Sequence, residues 1–185
     1  MLISHLFKGN SVNTSSTEGL EQRGKWHYKI FFDLETGGGK IRGHVGDCGI
    51  MAELLEKVGA NEDIDKVWAY QRPLSKWQIT QFNFFHMFVV FKTRTWWWSI
   101  EKNRERIYVH RSLNESVVKD YCRNGTSLSS RTIIDEDDGG MDVHDFLYWL
   151  LINEELQKEY QYSYSNCKHF ARAVFHRVAK TKQMI

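Results

Sequence analysis

What this 185-residue chain lacks narrows its chemistry before any motif is read. It has three cysteines, Cys48, Cys122 and Cys167, far apart and with no C-x-x-C pair. An odd, scattered set excludes a zinc knuckle and a disulfide scaffold. His44, His110, His144 and His176 pair with no second ligand at metal-binding spacing, so they read as surface or capping residues. The acidic run Asp135 to Asp138 lacks the spacing of a calcium loop and reads as a solvated loop. No metal and no cofactor is expected. The formal net charge is only +2, which gives no general pull toward nucleic acid or anionic membrane. No apolar run is long enough for a membrane span. Met1 to Gly19 has no basic segment followed by an apolar one, so it is not read as a signal peptide. These absences together point to a soluble protein of a reducing, cytoplasmic compartment. Proline occurs once, so rigid turns are few.

What the chain has in quantity is aromatic: 7 Trp, 8 Tyr and 11 Phe. With 42% hydrophobic and 26% charged residues, it should bury one full core. Residues 1–24 are polar and aperiodic over most of their length and read as a mobile arm. From residue 25 the pattern is that of a single α+β domain. Lys25–Leu34 and Lys40–Val45 make a hairpin, and Ile50–Val58 a short helix. Val67–Gln71 and Trp77–Thr80 are short strands. Phe82–Phe91, Trp96–Lys102 and Glu105–Arg111 form an antiparallel meander. Ser112-x-x-Glu115 is a capping box for a helix through Tyr121, and Thr132–Ile134 is a short strand. Asp142-x-x-Asp145 opens a helix through Gln157. Residues 82–179 then form the catalytic core and residues 25–81 an N-terminal elaboration.

The chemistry concentrates between Tyr160 and Val178. Tyr160, Tyr162 and Tyr164 alternate with polar residues, the period of a half-buried strand. Asn166 is a good N-cap, and Phe170, Val174 and Val178, widened by Ala171 and Phe175, form one apolar stripe. Cys167 thus falls in the first turn of a helix. There the unpaired N–H groups and the helix dipole favour a thiolate. A nucleophile needs a base, and a base needs an orienter. His86 lies inside a buried strand, where an imidazole is costly unless hydrogen-bonded. If Phe91 pairs with Trp96 across a four-residue loop, Glu101 stands opposite His86 and can hold it. A one-residue slip would put Lys102 there instead.

With those residues in place, the sequence resembles the H-box/NC-box family, the lecithin retinol acyltransferase-like proteins. These are circularly permuted relatives of the papain-like and NlpC-type thiol hydrolases. Members carry N-C-E-H-F, which Asn166, Cys167, His169 and Phe170 match, with Lys168 in place of Glu. The family's strand histidine maps on His86. The resemblance covers Phe82 to Val178. It departs where many members have a second histidine, since the next strand here offers Glu101. It departs also in the polar tail Lys180–Gln183, where many acyltransferase members have a membrane helix. The resemblance implies a permuted papain-like core and a Cys-His-Glu triad of Cys167, His86 and Glu101. The implied activity is hydrolysis or acyl transfer at an ester or amide carbonyl, in a lipid or a peptide, through a thioester. Backbone N–H groups at the helix start, that of Cys167 among them, would meet the oxyanion, with Asn166 positioning them.

Two other readings stay open. Asp47-Cys48-Gly49, before a helix, resembles the D-C-S-G of unpermuted NlpC-type cysteine peptidases, which makes Cys48 an alternative nucleophile with the same base. The third reading is a non-enzymatic module that binds a protein partner on a decayed thiol-hydrolase fold.

Overall fold

A computed structural model describes residues 26–73, 85–120, 131–153 and 155–181. Within them lie β1 (Ile30–Thr36), β2 (Gly39–Val45), α1 (Cys48–Val58), β3 (Ile64–Pro73), β4 (Phe85–Thr93), β5 (Trp97–Lys102) and β6 (Ile107–Ser112). Then follow α2 (Glu115–Asp120), β7 (Thr132–Asp138), α3 (Val143–Ile152) and α4 (Cys167–Val178). The fold is α+β. The strands form one seven-stranded mixed sheet in the order β2-β1-β6-β5-β4-β3-β7. Of its strand pairs, β1–β6 is parallel and the others are antiparallel. The β4-β5-β6 meander lies at its centre. Residues 30–73, read from the sequence as an elaboration, give β1, β2, α1 and β3 to this same sheet and core.

β4 explains why the chain has so dense an apolar run. Met87, Val89 and Phe91 enter the main core with α1, α3 and α4. Phe88 and Val90 point the other way, into a smaller cluster closed by Val118 of α2. A strand covered on both faces needs apolar side chains at every position. Phe91 stacks on Trp98 at 5.7 Å and meets Phe146 of α3 edge-on at 5.4 Å, so aromatics tie sheet to helix.

Several local expectations change. The β4–β5 hairpin is tighter than expected: Phe91 pairs with Trp98 rather than Trp96. The turn runs from Thr93 to Trp96, where Thr93 N–H donates to the Trp96 carbonyl at 2.9 Å. The Thr93 hydroxyl accepts from Trp96 N–H at 3.1 Å, a side-chain closure that no Gly or Asn announces. Ser112 ends β6 instead of capping α2. Its hydroxyl donates to Glu35 Oε2 at 2.6 Å, and the α2 cap falls to Asn114, which accepts from Ser116 N–H at 2.9 Å. Asp135–Asp138 is not a loop but part of β7, paired along β3. As an outer strand, it carries charges that discourage edge-to-edge association. Beyond it Gly139 packs so close that a Cβ would sit 1.8 Å from the Ile64 carbonyl oxygen. α3 stops at Ile152, five residues before Gln157. Trp77–Thr80, the start of the Phe82–Phe91 strand, Cys122 and the N-terminal arm lie outside the described residues.

Candidate active site

α4 begins at Cys167 because Asn166 closes its first turn. The Asn166 Oδ1 accepts from Lys168 N–H at 3.0 Å and His169 N–H at 3.2 Å. Its amide Nδ2 donates back to the Tyr162 carbonyl at 2.6 Å. Asn166 is therefore committed to the cap and the preceding turn, and its role is to position the helix. Phe170, Ala171, Val174, Phe175 and Val178 are all buried, as the stripe predicts. They seat the helix against β3, β4 and β5 and fix where its first residue lies. Cys167 is 5% exposed, and its Sγ reaches the Phe85 carbonyl at 3.9 Å.

His86 is the second residue of β4, directly beside that contact. Its Nε2 lies 2.7 Å from Glu101 Oε2. The two meet by a route other than the expected one. Val89↔Ile100 to Lys92↔Trp97 set the register, and extending it puts Glu101 level with Phe88. Glu101 is thus two residues from the position opposite His86. A two-residue offset keeps the same face of the sheet, so the carboxylate reaches the imidazole diagonally. Lys102, the residue a one-step slip would have supplied, points to the other side.

With Nε2 held by Glu101, Nδ1 is the nitrogen left to face the thiol, and the two groups are near enough to shift each other's titration. Burial works against charge on both. It is outweighed on His86, where the bonds to Cys167 and Glu101 raise the imidazole to about 9. It is outweighed also on Cys167: the His86 bond and charge, then Met87 N–H and Tyr160, lower the thiol below its ordinary value. Both shifts run toward a thiolate facing an imidazolium, the direction that makes a cysteine more nucleophilic.

Tyr160 is a site residue that the sequence pattern does not reveal. The alternation Tyr160, Tyr162, Tyr164 predicts a strand. The chain instead makes a turn closed by a Gln161↔Ser165 bridge, with Tyr162 and Tyr164 66% and 70% exposed. Tyr160 alone of the three turns inward. Burial, then the Cys167 charge and its hydrogen bond, push its hydroxyl up to about 12, while Cys167 N–H donates toward it. Lys102 fixes this turn from below. Its buried Nζ donates to the Lys158 carbonyl and to Ser165 Oγ at 3.0 Å, and sits 4.6 Å over the Trp26 ring. Burial lowers it to about 8. A lysine in a strand next to Glu101 signals neither contact, because both partners come from a segment roughly 60 residues away.

Cys48 stands apart. It opens α1, capped by Asp47, which accepts from Ile50 N–H at 2.9 Å, and its thiol is exposed. It follows β2, four strands from β4 in the sheet, about 19 Å at the usual strand spacing. The structure brings Cys167, not Cys48, to His86. Among the described residues no group of His, Cys, Asp and Glu is arranged to hold a metal ion. None of their helices is long and apolar enough to cross a membrane. No protein-family model, curated protein or solved structure matches the chain.

Proposed function

We propose that this protein is a cysteine-dependent hydrolase or acyltransferase with the triad Cys167, His86 and Glu101, on a permuted papain-like core. The observation that carries the reading is one thiol at a helix start beside an imidazole that a buried carboxylate holds at 2.7 Å. The Cys167 thiolate attacks an ester or amide carbonyl carbon, and the carbonyl π electrons move to oxygen. The Cys167 backbone N–H and the Tyr160 hydroxyl, which face each other in the resting site, would turn to that oxyanion. As the tetrahedral intermediate collapses, the His86 imidazolium gives its proton to the departing alkoxide or amine. Neutral His86 then takes a proton from water or an acceptor alcohol or amine, which attacks the thioester and restores the thiolate. Glu101 keeps the imidazole oriented and stabilises its charged form throughout.

Iodoacetamide alkylation followed by peptide mapping tests the nucleophile. Cys167 should label fast at mildly acidic pH, well below the ~8.5 of a free thiol, and His86→Ala should abolish that advantage. Preferential labelling of Cys48 would transfer the role to the unpermuted arrangement. Labelling of neither above a free-thiol rate would leave the protein-binding module as the better reading. Tyr160→Phe separates the oxyanion role from thiol activation. It should lower the acylation rate with an activated ester by about 10²-fold, the cost of one oxyanion donor. Alkylation, which builds no oxyanion, should slow far less. Equal losses in both assays would reduce Tyr160 to a tuner of the thiol.

A further inference from the structure

Two cations lie near the thiol, reached through different neighbours. The first is Arg104, just beyond β5. Tyr160 and Cys167 are near enough to shift each other's titration, and Tyr160 meets Tyr162 edge-on with ring centroids 5.5 Å apart. The Arg104 guanidinium lies over the exposed Tyr162 ring at 5.0 Å. Burial raises the Tyr160 hydroxyl, and the Arg104 charge reaches far enough to work against it. The second cation is Lys168, the residue after the nucleophile. Its Nζ sits 5.6 Å from the centre of the Phe85 ring. The carbonyl of that same Phe85 is the one that Cys167 Sγ reaches at 3.9 Å.

Neither cation forms an ion pair among the described residues. The described carboxylates beside them in the chain are engaged elsewhere. Glu101 is held against His86 at 2.7 Å, Glu105 pairs with Arg106 at 3.4 Å and Glu155 with Lys158 at 2.5 Å. Glu159 accepts from the Tyr28 hydroxyl. Negative charge around the site is thus answered locally, and the positive charge is not. A site edge of one sign concentrates ligands of the other. Arg104 also has a platform. The Tyr162 carbonyl accepts from Asn166 Nδ2 at 2.6 Å, which ties the ring under the guanidinium to the cap of the nucleophile's helix. A guanidinium resting on a ring loses little freedom when it takes a carboxylate or phosphate in two parallel hydrogen bonds.

We propose that Arg104, joined by Lys168, makes this site select acyl substrates that carry a carboxylate or a phosphate near the carbonyl Cys167 attacks. The inference rests on the thiol reading above and gives it a substrate class. Arg104 and Lys168 meet the charge of the substrate and not its reacting atoms, so they are specificity residues. Their contribution belongs to binding. It should appear in KM and weaken with added salt, as contacts between exposed charges do.

Two alkylating reagents of similar size separate charge from nucleophilicity. Iodoacetate is an anion and iodoacetamide is neutral. The ratio of their rates at Cys167 in the full chain, set against the same ratio in the urea-unfolded chain, reads the charge around the thiol. The folded chain should give the higher ratio. Arg104→Gln should lower it by about 3-fold and Arg104→Glu by about 10-fold, the effect of one exposed charge contact removed and then reversed. Adding Lys168→Gln should lower it further. An activated ester ending in a carboxylate should be preferred over its methylated form, through KM. A third ester ending in a phosphate tells which anion is favoured, and preference for either supports the proposal. Fast labelling of Cys167 with a ratio that Arg104→Glu leaves unchanged would overturn it while the thiol reading stands. Labelling no faster than in the unfolded chain with either reagent would overturn both.

Discussion

Cys167→Ala should eliminate turnover of an activated acyl ester, by about 10⁴-fold or more, and with it the covalent adduct seen by intact mass. The size of the effect follows from the chemistry. Without sulfur no thioester forms, and what remains is whatever water can do beside two oxyanion donors. The fold should survive. Cys167 is a small side chain at the first turn of α4, whose seating depends on Phe170, Val174 and Val178 rather than on the thiol. Its loss should lower the melting temperature by only about 2–4 °C, equivalent to about 1 kcal/mol. Asn166 still caps the helix, and His86 still reaches Glu101. An adduct that persisted in Cys167→Ala and mapped to Cys48 would overturn the proposed assignment.

The parts of this site that are legible in the sequence are those set by local rules. Asn166 followed by an i, i+4, i+8 apolar stripe announces a capped helix, and that places Cys167 in the first turn from residue pattern alone. The alternation of faces along a strand is equally local. That is why a register expected from Phe91–Trp96 and found at Phe91–Trp98 still delivers Glu101 to His86. The offset is two residues, and the side-chain period of a strand is two. What the sequence does not disclose depends on long-range packing. The Asp135–Asp138 run looks like solvent-exposed loop until β3 supplies a partner. Ser112 looks like a cap until Glu35, from a strand far upstream, takes its hydroxyl. Tyr160 shares its alternating pattern with Tyr162 and Tyr164, and only the bridge that closes its turn singles it out.

Glu101→Gln should narrow the pH range of activity from both sides. In the wild type the reactive form is bounded below by the lowered thiol of Cys167 and above by His86, which loses its proton at about 9. The amide oxygen of the variant would still accept from Nε2–H, so the imidazole keeps its orientation, but the charge that favours imidazolium is gone. The alkaline limb should move down by about one to three pH units. The acid limb should move up, because a less protonated His86 stabilises the thiolate less. At pH ~8 the acylation rate should fall by about 10–10²-fold, read from a pH–rate profile with the activated ester. An alkaline limb that stayed where the wild type has it would show that Glu101 does not support the base. Thermal stability behaves differently, and the signs explain why. A raised His86 contributes stability that is complete below about pH 6.5 and lost as pH climbs through about 9. A lowered Cys167 contributes with the opposite slope, present above the ordinary thiol value and lost as pH falls. Between those limits one group gains a proton on folding relative to the unfolded chain and the other tends to lose one. The two slopes oppose each other, and the melting temperature should vary less with pH between about 7 and 8.5 than His86 alone would make it. Cys167→Ala removes one of them. His86 then loses the support of the thiol and keeps only that of Glu101 against its burial, so a fall of melting temperature with rising pH in that window would report the Glu101 pair alone. The double variant Cys167→Ala, Glu101→Gln should lose most of that fall, which ties the slope to one ion pair rather than to the protein's charge as a whole.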